Sequence, residues 1–391
     1  MADTDSSETS GTPRVALFAD RFLPYSQTFI YEEIQAHDRY EVDVFCKERL
    51  NEDRFPYDRV HHPTTWLGQR IYENVGYWPR FDTIIGQGNH DLIHAHFGTT
   101  AVYALPYVVR HDLPFVITFH GNDVSILLGI KRYNPKNWRY LAYWDSLAEH
   151  ADLMICVSNE LTEFVRELGG DPEATRVLSQ GIDLHRFQPV QHENETPEIV
   201  MVGRFTEKKG HVYAIRAVAG AIDAGHDAHL TLIGDGELQS RCRALVQELG
   251  ISDHVTFTGV LSQEAVSERL ARADIALVPS VVARNHDREG SPTVAKEASA
   301  CGVPVVATYH AGLPAIVEDG ETGFLVPERN VDALRTAIVR LLGDDALRRE
   351  FGAAARAKME SDFDVHTQVQ TLEDYYDEIL LRSGRGDSTH E

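Results

Sequence analysis

Residues 289–307 read Glu-Gly-Ser-Pro-Thr-Val-Ala-Lys-Glu-Ala-Ser-Ala-Cys-Gly-Val-Pro-Val-Val-Ala. Ser291 is a good helix N-cap and Pro292 suits a first helical position, so a helix is predicted over 293–300. The apolar run 303–307 then reads as a buried strand. Loop, helix, turn and strand in this order make one unit of an α/β fold. The free N–H groups and dipole at the start of that helix would welcome a phosphate. Glu289 lies just before the cap and Glu297 on the second turn of the helix. A carboxylate there repels phosphate but accepts hydrogen bonds from a ribose diol. A lone glutamate on a helix is, however, more often simply solvated.

The same rhythm extends in both directions. Upstream, 199–202, 229–233, 255–257 and 275–278 read as strands, with helical patterns over 211–224, 238–249 and 263–271. Downstream come three helices, over 331–342, 346–360 and 365–381, and a polar tail. The first half alternates likewise, with strands at 14–19, 92–95, 115–119 and 153–157 and helices at 27–36, 101–110, 138–150 and 159–168. Short apolar runs alternating with amphipathic helices predict parallel sheets covered on both faces. The polar segment 188–197 breaks the pattern and reads as a linker. The expected organisation is a disordered acidic tail (1–13), an N-terminal Rossmann-like domain (14–190), a C-terminal one (197–362), a helix over 363–382 and a polar tail (383–391). Doubly wound sheets bind ligands at the carboxyl ends of their strands, so two such domains in tandem predict a cleft between them.

Composition narrows the function. The chain has 391 residues, 43% hydrophobic and 25% charged, as in soluble globular proteins. No run approaches the ~18 apolar residues of a membrane span, and the polar N-terminus carries no secretory signal pattern, so a cytoplasmic location is expected. The four cysteines are far apart and read as buried or incidental thiols. A net charge of −23 argues against nucleic-acid binding. Only seven of the 37 basic residues are lysine. An acidic, lysine-poor chain fits a halophile's high-salt cytoplasm, and equally a GC-rich genome.

A second candidate site is Gly203-Arg204-Phe-Thr-Glu-Lys-Lys209-Gly210, where a strand runs through a cationic loop into a helix. Arginine offers a bidentate fork and lysine a point charge, a pair suited to a diphosphate. Loop charges are usually solvated, but two cations at a strand–helix junction stand out in a chain this acidic. Gly234-Asp-Gly236 is a looser glycine turn and not a dinucleotide fingerprint. His120-Gly121-Asn-Asp123 ends a buried strand, where a histidine more often completes a core hydrogen bond than takes part in catalysis. His94 and His96, at i and i+2, share one face of a strand. No third ligand is evident beside them, so no metal site is assigned. Residues 129–144 concentrate basic and aromatic side chains. They read as a helix burying an aromatic face or, less commonly, as a surface facing a membrane or stacking on a glycan. Asp362-Phe-Asp364 imitates a metal-binding triplet and reads as a helix start.

Together these motifs resemble the retaining family-4 glycosyltransferases of the GT-B fold, over nearly the whole chain. The Glu-x7-Glu of Glu289 and Glu297, the Gly-Arg…Lys-Gly of 203–210, Gly234-Asp-Gly236 and Gly-Val-Pro-Val-Val-Ala at 302–307 occur in the family's order. The resemblance implies that Arg204 and Lys209 bind a donor diphosphate, Glu297 a ribose, and Glu289 the transferred sugar, with His120 beside it. Gly203, Gly234, Gly236, Ser291, Pro292 and Thr293 complete the expected donor site. Residues 20–33 look like the opening loop of a subgroup that builds exopolysaccharide or lipid-linked glycans, without the Gly-Gly of many members. That places Ser26, Thr28, His96, Gly121 and Asp123 on the acceptor side. The family also implies a last helix that crosses back to the N-terminal domain. The expected activity is retaining, metal-independent sugar transfer from a UDP- or GDP-sugar to a glycan or lipid-linked acceptor. The nucleotide sugar is a co-substrate, and no separate cofactor is expected. A nucleotide-sugar epimerase and a catalytically silent glycan-binding subunit are the alternatives.

Overall fold

The computed structural model describes residues 11–24 and 27–384. Its first sheet is built from seven strands: β1 (Arg14–Phe22), β2 (Glu41–Arg49), β3 (Val60–His61), β4 (Leu92–His96), β5 (Phe115–Phe119), β6 (Leu153–Cys156) and β7 (Thr175–Val177). Their order is β3-β2-β1-β4-β5-β6-β7. The second sheet has six: β8 (Glu198–Val202), β9 (His229–Ile233), β10 (Val255–Gly259), β11 (Ile275–Val278), β12 (Val305–Thr308) and β13 (Gly323–Val326), in the order β10-β9-β8-β11-β12-β13. The pairings that define β1–β2, β1–β4, β8–β9 and β8–β11 are all parallel. Parallel strands need helical crossovers, and these cover both faces of a doubly wound sheet.

The second sheet shows why its inner strands are mostly apolar. Ile199, Met201, Leu230, Leu232, Ile275 and Leu277 point into one core layer. Their neighbours Val200, Ile233, Ala276, Val278, Val305 and Ala307 fill the opposite one. Alternate side chains leave a strand on opposite faces, so burial on both sides requires a continuous apolar run.

Several features differ from the sequence reading, among them the unread strands β3, β7 and β13. Strand β2 goes unrecognised because Asp43 interrupts its apolar run. That carboxylate is buried and accepts from Arg14 Nη2 at 2.5 Å, beside His61 Nε2 at 3.1 Å and His90 Nε2 at 3.2 Å. Burial alone would raise its pKa, but these three partners hold it well below the usual carboxylate range. Helices Trp66–Val75 and Pro79–Gln87 also escape the sequence reading. Ser291 does not cap the helix Thr293–Ala300: Pro292 occupies the N-cap position, and the Ser291 hydroxyl lies 3.3 Å from that of Ser179. All four cysteines are buried free thiols. No helix among the described residues is long and apolar enough to cross a membrane.

Contacts divide the chain into two compact units. Of the described residues, one comprises those up to Thr118, Tyr143–Met154 and those from Val369 onward, the other Phe119–Ala142 and Ile155–Gln368. The end of the last helix, Val365–Arg382, therefore belongs with the first strands of the chain. Its anchor is Glu373, a carboxylate with 1% exposure. Glu373 accepts from the backbone N–H groups of Asp38 and Arg39, from Arg39 Nε at 3.0 Å, and lies 3.0 Å from His37 Nδ1. Burial opposes ionisation, yet these donors bring the Glu373 pKa down to about 2. A folded pKa below the unfolded one means stability that is fully present above the unfolded value of 4.5 and lost as the pH falls toward about 2. Glu373→Gln should therefore cost on the order of 3 kcal/mol at neutral pH. Thermal melts of both proteins across pH should show a gap that is constant above about pH 5 and closes in acid.

Candidate functional site

The central strands β8 and β11 are neighbours, and their following connections lead to opposite sides of the sheet. Such a topological switch point opens a crevice at the strand ends. Strand β8 leads into Gly203, exposed Arg204 and Lys209, and β9 leads into Gly234. Gly203 donates its N–H to Ile233 O at 2.9 Å, and a Cβ on Gly234 would lie 2.2 Å from Gly203 O, so these turns pack backbone on backbone. Among the described residues Arg204 makes no ion pair. Lys209 is engaged: its Nζ lies 3.1 Å from Glu289 Oε2.

Glu289 sits in the loop between β11 and helix Thr293–Ala300 and is 9% exposed. Burial opposes its charge, but Lys209 and Lys208 outweigh that effect and its pKa is lowered. Its backbone N–H donates to His310 Nε2 at 3.2 Å, and His310 Nδ1 lies 2.6 Å from Glu328 Oε1. Nε2 must then be the bare nitrogen and Nδ1–H the donor to Glu328. Gly312 donates to Gly290 O at 2.9 Å, so the loop is tied on both sides of the catalytic candidate. One oxygen is left over: buried Glu289 Oε1 has an ion contact of 3.5 Å with Lys208 but accepts no hydrogen bond among the described residues. Glu297 is half-buried on the helix. Burial raises its pKa against the pull of Thr293, Lys209, Arg186 and Lys296. Thr293 and Lys209 thus act on Glu297 from close by.

His120 follows β5 and belongs to the same compact unit as Glu289. Buried Asp123 shapes its loop, accepting from the backbone N–H groups of Gly121 at 2.9 Å, Val124 at 3.0 Å and His120 at 3.2 Å. Two glycines let the His120 and Glu289 loops meet. Gly121 has φ +107°, and a Cβ on Gly290 would lie 2.1 Å from His120 O. His120 Nδ1 lies 2.7 Å from Gln180 Nε2. The sequence reading missed Gln180, His310, Glu328 and Lys296. Lys296 alone had a legible signal, as a lysine within the apolar face of a short helix.

In the other unit, His94 and His96 share a strand face, with ring centroids 4.6 Å apart. Both are fully buried. His96 Nε2 lies 3.0 Å from Glu33 Oε1, the third potential ligand that the sequence did not reveal. The three residues offer ligand atoms within 4.8 Å of one another. Both nitrogens of His94 are engaged, however, by Tyr376 OH at 2.6 Å and Thr118 Oγ1 at 2.7 Å. Thr28 begins the helix Thr28–Gln35, and Ser26 lies outside the described residues. In the 129–144 segment Tyr140 and Trp144 are buried, whereas Ile130, Tyr133 and Trp138 are each more than 60% exposed. Asp362 ends the helix Asp345–Asp362 and pairs with Lys358, and Asp364 precedes the next helix.

Known proteins resemble this chain over most of its length. The family described as "Glycosyltransferase Family 4" matches residues 28–186, and "Glycosyl transferases group 1" matches 185–358. The chain is 34% identical over 281 residues to the putative colanic acid biosynthesis glycosyltransferase WcaL of Escherichia coli, covering 70% of this chain and 67% of that one. It is 32% identical over 358 residues to the GDP-mannose-dependent monoacylated alpha-(1-6)-phosphatidylinositol monomannoside mannosyltransferase of Corynebacterium glutamicum, covering 86% and 90%. Among solved structures, sucrose-phosphate synthase from Thermosynechococcus elongatus superposes with a TM-score of 0.74 at 23% identity, covering 95% of this chain and all of that one. Anabaena HepE in complex with UDP-glucose gives 0.73 at 19%, covering 93% and 99%. The chain belongs to the family-4 glycosyltransferases and has their GT-B fold.

The glycine contact yields a sharp expectation. Gly290→Ala places a methyl group against a backbone carbonyl that cannot rotate away, so it should abolish transfer and lower the melting temperature by several degrees. Gly312→Ala, whose Cβ would approach Gly290 O only to 2.8 Å, should be milder in the same assays.

Proposed function

We propose that this glycosyltransferase moves a sugar from a nucleoside-diphosphate sugar to a glycan or lipid-linked acceptor, with retention of configuration. The observation that carries the reading is the pairing of Lys209 with Glu289 beside an unoccupied acceptor atom, Glu289 Oε1. An ammonium has three protons, so Lys209 can keep Glu289 and still take a phosphate oxygen. Arg204, exposed and without an ion pair among the described residues, supplies the second cation, and the N-terminus of helix Thr293–Ala300 adds its dipole. Together they would stabilise the charge that grows on the leaving diphosphate as the glycosidic bond breaks. Glu297 would accept from the ribose hydroxyls. Glu289 Oε1 would accept from a sugar hydroxyl, with His120 on the adjoining loop.

Positive charge on the protein can serve the leaving group, so transfer should persist in EDTA. The GDP-mannose-dependent relative and the UDP-glucose complex of HepE make guanosine and uridine donors the two to test. Arg204→Ala and Lys209→Ala should each weaken binding of the matching nucleoside diphosphate by ~1.5–3 kcal/mol and slow turnover as well. Glu289→Ala and His120→Ala should leave that binding nearly intact while turnover collapses. Calorimetry with GDP and UDP beside a transfer assay separates these outcomes. Normal turnover of the Glu289 and His120 variants would refute their roles. An α-linked product from an α-linked donor, read by NMR, tests retention.

A lipid-linked acceptor would bring the enzyme to a membrane surface. Residues 124–144 contain four basic residues and no acidic one in a chain of net charge −23. Exposed Ile130, Tyr133 and Trp138 lie among them. Such a surface suits anionic headgroups. Co-flotation with anionic but not zwitterionic vesicles, lost on Arg132→Glu with Trp138→Ala, is the expected result.

A further inference from the structure

Helix Thr293–Ala300 buries Val294, Ala295, Ala298 and Ala300, and with them a lysine, Lys296, that has no exposed surface. Burial pushes its pKa down to about 7, against the opposing pull of Glu297. A buried lysine persists where its donors are used. Lys296 Nζ donates to the backbone oxygen of Gln180 at 2.7 Å and to Ser179 Oγ at 3.0 Å, and lies 5.1 Å from the Phe363 ring centroid. The lysine thus holds residues 179–180 from below. Gln180 in turn directs its side-chain amide to His120, with Nε2 at 2.7 Å from Nδ1. With the amide nitrogen toward the ring as donor, Nδ1 is the accepting nitrogen and a neutral ring would carry its proton on Nε2.

We propose that Gln180 and Lys296 are positioning residues for His120: Gln180 selects the Nε2–H tautomer, and Lys296 fixes Gln180 where it can do so. The proposal rests on the reading that His120 acts at the donor sugar. There an Nε2–H ring donates a hydrogen bond to a sugar oxygen, whereas the other tautomer offers a lone pair. The charged groups around this loop are Asp123, which holds the His120 and Gly121 N–H groups, Glu289 with Lys208 and Lys209 across the glycine contact, and Lys296 behind Gln180.

The test pairs a tautomer measurement with kinetics on the full chain. In 15N-histidine-labelled protein, the His120 resonances, assigned by their loss in His120→Ala, should report the Nε2–H form. Gln180→Leu, close in shape and without the donor, should mix the two tautomers. It should lower kcat on the order of tenfold or more, with the donor KM and nucleoside-diphosphate affinity unchanged. Lys296→Met should shift the same resonances in the same direction. Unchanged nucleotide binding shows that both variants keep a folded site. In a His120→Ala background, Gln180→Leu should cost nothing further. An Nδ1–H tautomer in the parent, or Gln180→Leu with parental resonances and kcat, overturns the proposal. Full turnover by His120→Ala instead overturns the catalytic reading, while the resonances still decide the positioning.

Discussion

Two loops meet backbone to backbone at Gly121 and Gly290, and the candidate site is organised around that contact. Any side chain at Gly290 would press on the His120 carbonyl, so the spacing between the histidine and the Glu289 carboxylate is set by the absence of a Cβ. Each loop is then secured from its own side. Asp123 gathers the N–H groups of the histidine loop, and His310 with Gly312 ties the glutamate loop. Rigid placement of this kind is what electrostatic catalysis demands, because a preorganised group need not reorient as charge develops.

The distribution of charge follows the same logic. A chain of net charge −23 repels any phosphate at long range, so a phosphate site on it would need local cations close by. Three of its seven lysines, Lys208, Lys209 and Lys296, lie in this site, each against a partner. Elsewhere the buried charges are structural. Asp43 and Glu373 stay ionised because arginine, histidine and backbone donors surround them. Glu373 ties the C-terminal helix to residues 37–39, hundreds of positions away in sequence.

The doubly wound architecture was legible because buried parallel strands are mostly apolar, and the inner strands of the second sheet carry that mark. The exceptions are instructive. Strand β2 hides behind Asp43, whose burial makes sense only once Arg14, His61 and His90 are brought around it. The helix at 293 was legible, but its cap was not, because the Ser291 hydroxyl has a tertiary neighbour in Ser179 that no local rule anticipates.

The sequence by itself determined the alternation of strands and helices, the cationic Gly203–Gly210 loop and the Glu289–Glu297 spacing. These are local patterns whose meaning depends on periods of two and 3.6 residues and on neighbours a few positions apart. Only the tertiary structure decided which groups serve one another. It brought Glu33 to His96, His310 to the Glu289 backbone with Glu328 behind it, and Gln180 to His120 with Lys296 behind that. Hydrogen bonds and ion pairs act over a few ångströms, and residues tens to hundreds of positions apart come that close only after the sheets and their helices have packed.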